Sequence, residues 1–174
     1  MSVIRRALAT RKESVTKLPR SNIFSASADE LSDLFADYLD SEGACIVLAI
    51  SERPLSGDAR NAIEKSLESF GYGDDACTYA TLFPADEEAE GGDVPLDAQA
   101  LFLLLEGLDP LCVICADDAA TSRLGEACRA TFEQDAPIRA FGRPGVAFRN
   151  LTALLDTDAG KQRAWRLLKS LPKR

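Results

Sequence analysis

The stretch Ala44-Cys-Ile-Val-Leu-Ala-Ile50 is a continuous apolar run with the length of one strand. A run without polar alternation is typical of a strand that is buried on both faces. Leu111-Cys-Val-Ile-Cys-Ala116 has the same character further along the chain. The two stretches predict central strands of a sheet that helices cover on both sides.

Segments with apolar residues at helical spacing separate these strands. In residues 58–70, for example, Ile63, Leu67 and Phe70 recur at intervals that place them on one side of a helix. The other predicted helices cover residues 27–41, 99–108, 118–132, 150–155 and 158–171, and the other predicted strands cover residues 77–83, 137–141 and 145–148. Alternating strands and helices imply right-handed crossovers, so we expect a three-layer α/β/α sandwich with a mainly parallel sheet of about four strands.

The chain of 174 residues has the length of one domain. Residues 1–22 are basic, and we expect them to form a flexible N-terminal segment before a single α/β/α domain over residues 23–174. Ser27 and Glu30 form a capping box at the start of the first predicted helix. Trp165 lies in the last predicted helix, where we expect it to pack in the core.

Charge is unevenly distributed along the chain. The formal net charge is −8, yet residues 1–20 carry six basic residues and one acid, and residues 161–174 carry six basic residues and no acid. The remaining residues carry 8 basic and 27 acidic side chains, a net charge of −19. Because such a body repels phosphate, any nucleic-acid contact is confined to the basic ends. The candidates near the C-terminus are Arg163, Arg166, Lys169, Lys173 and Arg174, and the alternative is that they form a solvated surface.

The residue types exclude several classes of site. The chain has no histidine, which excludes Ser-His-Asp and Cys-His catalysis and histidine-ligated zinc. Its five cysteines, with no secretory signal before them, are typical of reduced thiols in a cytoplasmic protein. Cys112 and Cys115 form a C-x-x-C pattern, but residues three apart on a strand point to opposite faces and cannot easily share a metal. We expect no metal, no cofactor and no membrane-spanning segment.

Ligands of such a sheet bind beyond the carboxyl ends of its strands. Here those ends are residues 51–57, 82–86, 116–118 and 148–151. An enzyme site at this edge would use Glu52 and Asp86 as carboxylate acid or base, Arg149 to hold an anion and Asn150 to orient a polar group. The alternative is that both carboxylates are solvated and that Asn150 caps the helix that follows it.

Two stretches resemble the uracil-DNA glycosylase superfamily. Glu52-Arg-Pro-Leu-Ser-Gly57 and the helix after it are similar to the G-R-P-F-x-G turn and following helix of that family. Gly142-Arg-Pro-Gly-Val-Ala-Phe-Arg-Asn-Leu-Thr-Ala-Leu-Leu155 is similar to its last strand and H-P-A-x-L-L motif, and residues 161–169 are similar to the helix that follows. The resemblance runs from about residue 44 to residue 171 and implies a uracil-DNA-glycosylase-like fold.

The family's catalytic residues have no counterparts at the matching positions. The resemblance places the base-stacking aromatic residue at Leu55, the base-reading asparagine near Thr81 and the histidine that stabilises the departing oxyanion at Arg149 or Asn150. The loop that bears the water-activating residue is deleted, because the first strand runs almost directly into Arg53. Loss of a single hydrogen-bond donor to the departing oxyanion, such as that histidine, costs about 2.7–4 kcal/mol of transition-state stabilisation. The candidate binding residues of this fold, which lacks the family's chemistry, are therefore Arg53, Leu55, Thr81, Arg149 and Asn150.

The chain also resembles the psi subunit of the bacterial DNA polymerase III clamp loader. The resemblance lies in the strand–short loop–helix segment and in the leucine-rich, tryptophan-bearing final helix, and it implies a bridging role in which residues 1–22 contact a protein partner. We therefore expect a non-catalytic binding or adaptor protein in DNA replication or repair. The alternatives are a glycosylase-like enzyme with a rebuilt site and a nucleic-acid-binding module that uses the basic C-terminal helix.

Overall fold

The computed structural model describes residues 35–40, 45–84 and 95–174. The predicted basic segment over residues 1–22, the capping box at Ser27 and Glu30, and residues 85–94 with Asp86 lie outside the described residues. The described strands are β1 (Leu39–Asp40), β2 (Val47–Ser51), β3 (Cys77–Thr81), β4 (Cys112–Cys115), β5 (Ala136–Ala140) and β6 (Arg143–Ala147). The described helices are α1 (Gly57–Ser69), α2 (Ala98–Leu108), α3 (Asp118–Cys128), α4 (Leu151–Leu154) and α5 (Asp158–Leu168).

The strands form one mixed sheet with the order β1-β3-β2-β4-β6-β5. Strands β3, β2, β4 and β6 pair in parallel, whereas β1 and β5 pair antiparallel at the two edges. The prediction of a mainly parallel sheet of about four strands is therefore wrong: the sheet has six strands and is mixed. The chain runs outward in both directions from β2, so the connections change direction between β2 and β4, where α/β sheets typically bind ligands.

Residues next to β1 and β5 explain why these strands form at the two edges of the sheet. The predicted helix over residues 27–41 is wrong in its described part, because residues 35–38 form turns and β1 follows them. Phe35 is fully buried there, which anchors the turn against the core. At the other edge, β5 returns to β6 through Phe141 and Gly142, whose φ values of 50° and 84° are those of a tight two-residue hairpin.

Helices cover both faces of the sheet. Successive side chains of a strand point to opposite faces, so Leu48 and Ile50 of β2 pack with α2 and α3, whereas Val47 and Ala49 pack with α1 and α5. The apolar run that predicted a doubly covered strand is therefore confirmed, and so are helices on both sides of the sheet. None of the helices in the described part of the chain is long and apolar enough to cross a bilayer.

Each described helix begins at a polar side chain that accepts a hydrogen bond from a backbone N–H of the first turn. These capping residues are Ser56, Asp97, Asp117, Asn150 and Thr157. Helix α3 ends at Cys128, four residues before the predicted end, because Arg129 adopts a left-handed conformation with φ of 53° and the Ala130 N–H bonds back to the Gly125 carbonyl.

Candidate functional site

The carboxyl edge, formed by the residues that directly follow β2, β3, β4 and β6, is organised around Asp117. The Asp117 Oδ1 atom accepts the Ala120 N–H at 2.8 Å and caps α3. Its Oδ2 atom accepts the Glu52 N–H at 2.7 Å. One carboxylate thus joins the end of β2 to the start of α3 across the place where the connections change direction. Both of its oxygens already bind backbone groups.

Glu52 and Arg53 lie in the turn between β2 and α1, and both side chains are exposed. The Arg53 guanidinium carbon lies 4.4 Å from the centre of the Phe83 ring, a cation–π distance. The backbone is held beside β3, because the Leu82 N–H donates to the Ser51 carbonyl at 2.8 Å. Arg53 therefore packs along the end of β3 and covers an aromatic side chain.

Leu55 and Thr81, the positions matched to base stacking and base reading, face the protein. Leu55 is half-buried and packs against the core between the sheet and α1 with α5. Thr81 is 4% exposed, and its hydroxyl donates to the Phe83 carbonyl at 2.6 Å. Neither side chain offers a free group to a ligand at the carboxyl edge.

Arg149 and Asn150 follow β6 and are exposed. The Asn150 Oδ1 atom accepts the Ala153 N–H at 2.9 Å, which confirms the capping alternative for this residue. The Arg149 backbone is fixed on both sides: its N–H donates to Asp135 Oδ1 at 3.1 Å, and its carbonyl accepts the Asp118 N–H at 3.0 Å. The structure thus fixes the backbone of Arg149, while its guanidinium lies at the surface.

The proposed acid–base set is only partly brought together. Glu52, Arg149 and Asn150 lie on the same edge, because the segments that bear them each bond to residues 116–118. Within the described residues, no hydrogen bond or ion pair joins the three side chains to one another. The fourth member, Asp86, lies outside the described residues.

The candidate nucleic-acid contacts are partly engaged within the protein. Arg163 forms an ion pair with Asp135 at 3.3 Å, and the Lys169 Nζ atom lies 4.7 Å from the centre of the Trp165 ring. The backbone N–H of Arg174 donates to the Phe70 carbonyl at 3.0 Å, and the residue is exposed. Arg166 and Lys173 are exposed.

Cys112 and Cys115 point to opposite faces of β4, as the spacing predicts. Cys112 packs on the side of α1 and α5, where its sulfur lies 3.2 Å from the Tyr72 hydroxyl, and Cys115 packs on the side of α2 and α3. Burial raises the pKa of both thiols, and the Asp117 charge raises the pKa of Cys115 further. Both are therefore neutral and poorly reactive at pH 7. In the described ranges, no group of three or more acidic or cysteine side chains is placed to hold a metal ion.

A groove between α1 and α5, with α4 at one end, is the feature that the sequence did not indicate. Its volume is about 660 Å³, and we call it the α1–α5 groove. The side chains that characterise it are Ala62, Lys65, Leu155, Lys161, Ala164 and Trp165. Trp165 is 47% exposed, so the prediction that it packs in the core is wrong. The only available sequence signal was a single tryptophan within a basic segment.

The sequence matches no protein-family model, and it matches no curated protein.

Proposed function

We propose that the chain is a non-catalytic protein of the uracil-DNA-glycosylase-like type that acts as a binding or adaptor protein. One observation carries the proposal: two of the polar side chains matched to the glycosylase site, those of Thr81 and Asn150, bond to the backbone of the protein itself. Thr81 bonds to a carbonyl of its own segment, and Asn150 caps α4. A side chain that caps a helix contributes about 1 kcal/mol to stability, and this contribution would be lost if it turned to a substrate.

The sheet also supports the proposed likeness. Four adjacent strands pair in parallel, and β2, the first of them in sequence, lies inside the sheet. Helices cover both faces of the sheet. This arrangement provides a rigid scaffold whose loops and helix faces are free to vary. A role in DNA replication or repair follows only from the resemblance to the glycosylase superfamily and the clamp-loader subunit.

Release of uracil from DNA tests this proposal. The protein is incubated with single- and double-stranded uracil-containing oligonucleotides between about pH 5 and 9, a range that covers the usual acid–base optima. An active uracil-DNA glycosylase serves as the positive control. Uracil release leaves abasic sites, and we expect no more strand cleavage at such sites than in a sample without protein.

The variant Arg149→Ala tells what an observed release of uracil would mean. Arg149 is the cationic side chain at the position matched to the catalytic histidine, and its guanidinium is exposed at the carboxyl edge. Uracil release by the wild-type chain that disappears in Arg149→Ala would overturn the proposal. It would support an enzyme in which Arg149 stabilises the departing base.

A further inference from the structure

The α1–α5 groove combines an apolar floor with a partly exposed aromatic side chain. Ala62 and Ala164 line it from α1 and α5, and their small size keeps the groove open between the two helices. Leu155 and Leu168 also line it, and Leu168 belongs to the core beneath. Tryptophan and apolar side chains in such a recess are the features that anchor protein partners. The volume of about 660 Å³ accommodates a few side chains and not a folded domain.

Lysines from both helices border the groove. Lys161, Trp165 and Lys169 are spaced four residues apart on α5 and at its end, so they lie along one side of the helix. Lys65 lines the facing wall on α1. Lys161 pairs with Asp158 at 3.4 Å, a contact between two well-exposed side chains that contributes little by itself.

Lys161 and Lys169 belong to the basic C-terminal part of an acidic protein, whereas Lys65 lies in its acidic body. Residues 161–174 carry six basic residues and no acid, whereas residues 21–160 carry 27 acids against 8 basic residues. The field of the protein therefore directs an acidic partner toward α5 and away from most other surfaces. Charge complementarity thus limits the kind of partner that fits this groove.

We propose that the α1–α5 groove binds an acidic amphipathic helix of a partner protein. The inference rests on the proposed binding function and names the chemistry of the partner. Apolar side chains of the helix fill the floor beside Trp165, and its carboxylates meet Lys65 and Lys161. This is the helix-in-groove mode of recognition, in which apolar anchors recur on one side of the bound helix.

A nucleic acid fits the same groove less well. Asp58 and Asp156 also line it, and a continuous chain of phosphates would be repelled by both. A helical peptide places its charged residues selectively, so that it presents carboxylates to the lysines and neutral or basic side chains to the two aspartates. The mixed charge of the groove and its apolar floor therefore favour a peptide.

The chain's single tryptophan makes the test direct. The probe is a synthetic capped peptide of about five helical turns, with leucines on one side and glutamates alternating with neutral glutamines elsewhere. Its binding to the full chain is measured by Trp165 emission and by anisotropy of a fluorescein-labelled copy. We expect a blue shift of the emission on binding, because the peptide removes water from the indole ring. A peptide with every glutamate replaced by lysine should bind at least about tenfold more weakly.

Matched charge reversals distinguish binding in the groove from a general attraction of the acidic peptide to the basic C-terminal segment. Lys65→Glu and Lys161→Glu should each weaken binding at least about fivefold, whereas Lys173→Glu, outside the groove, should change it less than about twofold. Circular dichroism establishes that the three variants are folded.

Equal losses in the three variants would overturn the proposal, and so would no binding of the acidic peptide. Tighter binding of single-stranded oligothymidylate, with the same change in Trp165 emission, would assign the groove to nucleic acid instead. None of these outcomes bears on the absence of uracil release, so the groove proposal can fail while the non-catalytic proposal stands.

Discussion

The carboxyl edge and the α1–α5 groove use polar residues in opposite ways. At the carboxyl edge, the side chains of Asp117, Asn150 and Thr81 each bond to backbone groups of the protein. In the groove, Lys65 and Trp165 line a recess without any such role in the backbone. A residue that satisfies a helix terminus is committed to stability, because its loss leaves backbone groups unpaired.

The contrast shows that fold topology alone does not locate a binding site. A parallel sheet brings its strand ends together and thus creates a place where ligands can bind. The same strand ends are where helices begin, and helix starts require polar caps. Asp and Asn at these positions therefore serve either purpose, and their hydrogen bonds decide which.

Among the polar residues of the two regions, the largest expected effect is that of Asp117→Ala. The change removes the cap of α3 and the acceptor of the Glu52 N–H, and we expect the free energy of unfolding to fall by about 2 kcal/mol. Denaturation by urea, followed by circular dichroism, measures it. Asp118→Ala is the neighbouring control, with a loss of about 0.5 kcal/mol for a first-turn charge. Equal losses at the two positions would show that neither the cap of α3 nor the bond to Glu52 adds to stability.

A smaller loss is expected from Asn150→Ala. Removing the side chain that caps α4 should lower the free energy of unfolding by about 1 kcal/mol, and Asn150→Asp should retain most of it because a carboxylate oxygen also accepts the bond. Binding of the acidic peptide should be the same in all three proteins. If Asn150→Ala left stability unchanged, the carboxamide would be free to serve a ligand, and the contrast between the two regions would fail.

The sequence predicts the parts of the fold that follow from local pattern. The apolar runs at residues 44–50 and 111–116 become β2 and β4, and the opposite directions of Cys112 and Cys115 follow from the alternation of a strand. Strand β1 has only two residues, too few for any periodicity. The hairpin before β6 requires a left-handed conformation at Phe141, which is rare for an aromatic residue and has no sequence signal.

The exposure of Trp165 could not be read from the spacing of α5. The buried positions of this helix are Gly160, Ala164 and Leu168, each four residues after the last. Trp165 lies one residue, or about 100° of rotation, away from Ala164. In the sequence, an apolar residue on the buried side of α5 looks the same as one just outside it. Only the position of α1 decides which of them the core covers, and that contact joins residues about 100 positions apart in the chain.

The smallest expected effect is that of Trp165→Ala on stability. An exposed ring that contacts Lys169 should contribute less than about 1 kcal/mol. Leu168→Ala, three residues further on and fully buried, should lower the free energy of unfolding by about 3 kcal/mol, because it leaves a cavity. Both losses are measured by urea denaturation and circular dichroism. A loss of 3 kcal/mol or so in Trp165→Ala would mean that the indole is part of the core. The groove would then lack the aromatic anchor that distinguishes it from the carboxyl edge.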